Sequence, residues 1–233
     1  NYQGSATGGQ NAKPYQDMAT LPIYARAFYI YSEKLDFFTE YNYAKTRSMS
    51  GDSNSSLLDS AIHTVSLGAQ GQLSSKLSGN ANIGYTRQVY DVGFPGQGSL
   101  SLGSGLQWTL NRKTSFGVNL TRGFMPSPQG YTMLNTTGRL SSTHRFTDDV
   151  SGTAYLSYGS ADYTYANTDT GRIATRSSTM DNFGFGANVS KKINKYFIMS
   201  GGYNFSYFDR GQPTGGGETY GRHLVKVDLS GRF

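Results

Sequence analysis

Apolar and polar residues alternate with a period of two along most of this chain. The clearest stretch is 99–110. There Leu100, Leu102, Leu106, Trp108 and Leu110 fall on one side of an extended strand, and Ser101, Gly103, Gly105, Gln107 and Thr109 on the other. The last eleven residues repeat the pattern: Val225, Val227, Leu229 and Phe233 oppose Lys226, Asp228, Ser230 and Arg232, and the final aromatic stays in phase with the apolar side. Alternation of this kind predicts strands with one apolar and one polar face.

Eleven such segments can be traced: 23–32, 37–45, 61–73, 77–90, 99–110, 115–123, 131–146, 150–163, 181–191, 196–208 and 223–233. Short turns follow the odd-numbered segments, for example Ser74-Ser-Lys76, Asn111-Arg-Lys-Thr114 and Thr147-Asp-Asp149. Mostly longer loops follow the even ones, the longest being 164–178. A soluble β-sandwich predicts no such asymmetry of connectors, whereas an outer-membrane barrel does, with tight periplasmic turns and longer extracellular loops. The expected fold is therefore all-β, a transmembrane antiparallel up-and-down β-barrel. Residues 1–20 would be an extracellular loop or ragged N-terminal segment, and 21–233 the barrel strands.

Composition sharpens this picture. Among 233 residues there are 18 Tyr, 13 Phe and 30 Gly, with charged residues at 15%, against about 25% for ordinary soluble domains. No apolar run approaches the eighteen residues of a membrane helix. The net charge of +6 comes from Lys and Arg scattered along the chain rather than clustered, which argues against nucleic acid as a partner. With no Cys, disulfide and thiolate chemistry are excluded. Eleven strands pose a parity problem, since single-chain bacterial barrels usually have an even number and open edges are costly in lipid. The complete barrel is expected to have twelve or more strands. The remainder would come from residues 1–10, from sequence upstream of Asn1, or from another polypeptide, with upstream strands preferred because Gly4-Ser-Ala-Thr-Gly-Gly9 is poor strand material.

Alternation assigns Arg26, Glu40, Arg139, Arg145, Lys226, Asp228 and Arg232 to the lumen, where they would either favour anionic or sugar solutes or pair with one another. Trp108, Tyr158, Tyr203, Phe205, Tyr207 and Phe233 are expected on the lipid side and its aromatic girdle, with further aromatics (Tyr90, Phe124, Tyr163, Tyr165, Phe208) near the loop-proximal strand ends. Catalysis has one candidate, the pair Ser142 and His144, two residues apart on one face. It lies beside a predicted periplasmic turn and has no assignable third member. His63 and His223 lack metal-ligand spacing, and neither a metal nor a cofactor is expected.

The repeated hairpins Leu73-Ser-Ser-Lys-Leu-Ser-Gly-Asn-Ala-Asn-Ile-Gly-Tyr85, Trp108-Thr-Leu-Asn-Arg-Lys-Thr-Ser-Phe-Gly-Val118 and Ile193-Asn-Lys-Tyr-Phe-Ile-Met-Ser-Gly-Gly-Tyr203 resemble the beta-barrel porin 2 family and related bacterial outer-membrane barrels. Members of that family are typically longer than this chain, and the likeness implies its C-terminal portion. The resemblance implies a passive conduit or scaffold, for instance for exported exopolysaccharide, and carries over no catalytic residue. The leading expectation is thus a porin-like conduit for solute or polymer in the Gram-negative outer membrane, with a periplasmic C-terminus. A barrel that sheathes or anchors a multiprotein complex is the alternative, and an outer-membrane hydrolase the third. The expected partners are outer-membrane lipid and lipopolysaccharide, the barrel-assembly machinery acting through the strand that ends in Phe233, and a periplasmic or barrel-completing protein.

Overall fold

A computed structural model describes residues 18–49, 59–91, 96–126, 132–167, 174–211 and 218–231. They form eleven strands and no helix: β1 (Met18–Ser32), β2 (Leu35–Ser48), β3 (Ser60–Gln72), β4 (Leu77–Tyr90), β5 (Gln97–Thr109), β6 (Thr114–Pro126), β7 (Thr132–Arg145), β8 (Val150–Asn167), β9 (Ala174–Lys192), β10 (Phe197–Arg210) and β11 (Glu218–Gly231). Each strand pairs antiparallel with its sequence neighbour, giving one sheet in the order β1 through β11. Among the described residues β1 and β11 do not pair, so the sheet is an open up-and-down meander. All eleven expected segments are present.

Several strands run further than expected, among them β11, which starts at Glu218. β1 begins at Met18, inside the segment expected to be loop. The expected loop 164–178 is largely strand, because β8 continues to Asn167 and β9 starts at Ala174, paired through Tyr165↔Arg176 and Asn167↔Ala174. The sequence there (Thr164-Tyr-Ala-Asn167, Ala174-Thr-Arg-Ser-Ser-Thr179) does not alternate between apolar and polar, so the period that marks a strand is missing although the backbone ladder continues.

Register gathers most of the polar residues on one face of the sheet and most of the large apolar ones on the other. The chain of partners Arg26↔Glu40↔Ser66↔Gly84↔Ser101 crosses five strands without leaving the polar face. A separate row on the same face, Gly105↔Asn119↔Arg139↔Ser157↔Gly184↔Ser206↔Arg222, runs from β5 to β11. The opposite face leaves large apolar side chains uncovered: Val225 is 73% exposed, Val227 67% and Leu229 66%. On the polar face of β3 and β4, by contrast, Ser66, Thr86 and Gln88 are each no more than 2% exposed. This is a sheet turned inside out relative to a water-soluble domain, the arrangement expected where the apolar face meets hydrocarbon.

The five short connections, 33–34, 73–76, 110–113, 146–149 and 193–196, all lie at one end of the sheet. Each is held by the same device, a side-chain oxygen that accepts backbone N–H groups two and three residues on. Ser32 Oγ accepts from Lys34 and Leu35, Ser74 Oγ from Lys76 and Leu77, and Asn111 Oδ1 from Lys113 and Thr114. Thr147 Oγ1 accepts from Asp149 and Val150, and Asn194 Oδ1 from Tyr196 and Phe197. Ser, Asn and Thr suit this role because their short polar side chains reach their own backbone.

Next to the second of these turns, Gly71 (φ +118°) and Gly79 (φ +136°) stand opposite one another in β3 and β4. A side chain at Gly79 would also strike the carbonyl oxygen of Gly105. Gly79→Ala should therefore destabilise the folded protein by about 1–3 kcal/mol. Gly123→Ala, where an added methyl meets no atom within 4 Å, should cost almost nothing. Urea unfolding of both variants in lipid vesicles checks this, and equal midpoints would contradict it.

Candidate functional site: the polar wall

The polar face has three zones. On β3 to β6 it is free of charge. Apart from Ile62, Tyr90 and Met125, every residue that register puts there is Ser, Thr, Asn, Gln or Gly. Hydroxyl pairs link neighbouring strands on this face: Thr64 Oγ1 donates to Thr86 Oγ1 at 2.8 Å, Thr121 and Thr137 lie 2.6 Å apart, and Thr20 and Thr46 3.1 Å apart. Such cross-strand pairs are small increments of sheet stability, typically about 0.2–1 kcal/mol.

The second zone surrounds Arg26 on β1. Its guanidinium forms an ion pair with Glu40, directly opposite on β2. It also donates through Nε to Glu40 Oε2 at 3.0 Å, and Tyr24 Oη donates to the same oxygen at 3.1 Å. The guanidinium lies over the rings of Phe38 (4.3 Å), Tyr24 (5.2 Å) and Phe28 (5.7 Å). Arg26 and Glu40 thus neutralise one another inside an aromatic surround, which is the pairing outcome of the two expected for inward charges.

The third zone lies on β7 to β11. Arg139 stacks on the ring of Tyr155, 3.8 Å from its centroid. Tyr155 lies flat across β9 and donates its hydroxyl to Asn204 Oδ1 on β10 at 2.8 Å. Only glycine at position 186 leaves room for this, because a Cβ there would run into both Tyr155 and Asn204. Lys226 and Asp228, neighbours on one face of β11, form an exposed pair at 3.1 Å. Arg145 sits at the short-turn end of β7, and Arg232 lies outside the described residues.

On the apolar face, Trp108 packs on Phe116 with ring centroids 5.6 Å apart, and Tyr203 and Phe205 pack on Phe185. Tyr158 and Tyr207 share this face through Phe183, and Tyr158 Oη donates to Asp181 Oδ1 at 3.0 Å. Phe233 lies outside the described residues, as does the side chain of Tyr165. The loop-proximal aromatics do not form one outward set. Phe124 is on the apolar face, but register turns Tyr90, Tyr163 and Phe208 to the polar one, because each sits an odd number of residues from its strand's outward aromatics.

Among the described residues no hydrogen bond joins Ser142 to His144. His144 Nδ1 instead lies 2.9 Å from Thr114 Oγ1, and its ring packs edge-on against Phe146. His63 and His223 are each hydrogen-bonded to a tyrosine, Tyr41 and Tyr203, at 2.8 and 2.7 Å. Three His, Asp or Glu side chains do not converge anywhere among the described residues. What the arrangement can do chemically is offer hydroxyls, amides and a few fixed cations along a continuous surface.

The Putative beta-barrel porin 2 family matches residues 1–233. The chain belongs to that family. No curated protein matches it by sequence. Among solved structures it is similar to the FrpB iron transporter from Neisseria meningitidis. For the F3-3 variant the TM-score is 0.60 at 9% identity, covering 83% of this chain and 36% of that one. For the apoprotein form of the F5-1 variant it is 0.59 at 9% identity, covering 84% and 37%. This porin-family chain therefore spans little more than a third of the length of those structures, and the likeness is one of fold. Family and fold together support a place in the bacterial outer membrane.

The stack of Arg139, Tyr155 and Asn204 over Gly186 makes a testable unit. Gly186→Ala and Tyr155→Ala should not be additive, since the first acts by displacing the ring that the second removes. A double-mutant cycle on unfolding free energy should show coupling of about 0.5–3 kcal/mol, and additive costs would mean that the ring does not depend on the glycine.

Proposed function

We propose that this chain forms wall of a non-enzymatic outer-membrane conduit for a hydrophilic solute or polymer, with exported polysaccharide as the polymer whose chemistry fits it best. The observation that carries this reading is the uncharged polar face of β3 to β6, whose accessible part lies on β5 and β6, where Gln107, Thr109, Asn119 and Thr121 are exposed and Ser101 and Ser115 half-buried. A surface of that kind can exchange hydrogen bonds with a passing sugar one for one, without the desolvation that fixed charges impose. The short turns would face the periplasm and the C-terminal strand would end there, following the usual asymmetry of these barrels. The edges of β1 and β11 would be closed by further strands, from the same polypeptide or another, because each unsatisfied backbone group in hydrocarbon costs several kcal/mol.

The absence of cysteine gives a clean test. Cysteine introduced at Ser101, on the polar face, should react with a membrane-impermeant thiol reagent in native protein reconstituted in planar bilayers, and the adduct should lower the single-channel conductance. Cysteine at Leu100, on the other face, should stay protected by lipid. Wild-type protein that inserts without conducting would sink the conduit reading and leave the scaffold role; labelling at Leu100 in place of Ser101 would reverse the assignment of faces.

A further inference from the structure

At the short-turn end of β5 to β10 the polar face opens into a recess of about 730 Å³. Four cations stand around it: Arg112 and Lys113 from the turn between β5 and β6, Arg145 from the end of β7, and Lys192 from the end of β9. Asp148 and Asp149, on the turn between β7 and β8, are the acidic side chains in the lining. Charges that look scattered in the sequence are therefore gathered in space, and the expectation of unclustered basic residues is corrected here. Every second connection lies at this end, so turn residues far apart along the chain become neighbours.

None of the four cations forms an ion pair among the described residues. Their backbones are fixed all the same. Arg145 N–H donates to the carbonyl of Lys113 at 2.8 Å, and Lys192 N–H to that of Asp149 at 2.8 Å, so three successive hairpins are stapled to one another where the cations emerge. Four cations against the two carboxylates of Asp148 and Asp149 leave the lining net positive, which raises the local potential and favours an anion. Between them the floor is hydroxyl and amide, with Gln107, Ser115, Thr143, Ser151 and Ser190 in the lining. Further along β7, at a distance of three polar-face positions, comes Arg139 on its tyrosine support.

We propose that this recess is a docking site for a carboxylate-bearing oligosaccharide at the turn-side mouth of the wall, an inference that rests on the conduit reading and specifies its cargo. The guanidinium of Arg145 and the Lys192 ammonium meet the carboxylates, and the hydroxyl and amide floor meets the sugar hydroxyls. A phospholipid tail or an apolar peptide side chain finds little here, since Val150 and Ile198 are the apolar members of the lining.

The test is calorimetric titration of the detergent-purified protein with a galacturonate hexamer, with maltohexaose as the neutral sugar and hexaglutamate as the anion without sugar hydroxyls. The galacturonate hexamer should bind, and more weakly as salt rises. The combined substitution Arg145→Gln and Lys192→Gln should weaken it about tenfold or more. Should that variant fail to fold, Arg112→Gln with Lys113→Gln, both on an exposed turn, provides the same reading. Undiminished binding by a folded variant overturns the site. Equal affinity for hexaglutamate overturns the saccharide assignment in favour of an acidic peptide, and equal affinity for maltohexaose overturns the role of charge. Wild-type protein that conducts but does not bind the galacturonate hexamer refutes the recess alone; protein that binds it but does not conduct refutes the conduit and leaves the recess standing.

Discussion

The interaction on which everything else in this molecule depends is the backbone hydrogen bond in a medium that offers no substitute for it. In hydrocarbon an unpaired N–H or C=O has no water to fall back on, so the chain must satisfy its backbone through its own neighbours. Ten consecutive antiparallel pairings accomplish this for β2 to β10 and for the inner edges of β1 and β11. Once that ladder is fixed, the side chains have no choice of face. Arg26 opposite Glu40 fixes which parity of each following strand shares their face, and the exposed Val225, Val227 and Leu229 lie on the other parity.

The ladder also explains why the polar face is built from small residues. Long side chains on a curved wall would collide, and the structure avoids this by alternating a residue that lies flat with a glycine beneath it. Tyr155 over Gly186, Phe38 over Gly68 and Asn82 over Gly103 are instances in which an added Cβ would meet the overlying side chain. The wall gains packing from these contacts while staying thin. Where larger groups do stand on it, as at Arg26, they are held from several sides at once by Glu40 and three aromatic rings.

Most of the architecture was legible because a period of two survives in the sequence wherever one face meets an apolar medium. The eleven strands and the short turns on alternate connections could be read directly. The outer parts of β8 and β9 could not, since Thr164 to Asn167 and Ala174 to Thr179 carry polar residues on both parities. The candidate site was legible in part. Arg26 and Glu40 could each be given a face, but their pairing needed the register between β1 and β2. The support of Arg139 by Tyr155 spans four strands, β7 to β10, and depends on Gly186, a relation that no local pattern encodes. The cations of the turn-side recess were visible one turn at a time; only the stapling of successive hairpins brings Lys113, Arg145 and Lys192 together.

The flat-lying side chains have a kinetic implication. Tyr155, tethered at its hydroxyl by Asn204 and resting on bare backbone, has little rotational freedom left, and Arg139 is pinned to its ring. At this point of the wall the protruding groups cannot swing, in contrast to the exposed Lys226 and Asp228 of β11. In a conduit of the kind proposed, the bore beside Tyr155 would be set by two side chains that do not step aside, so the size limit there would be a sharp one.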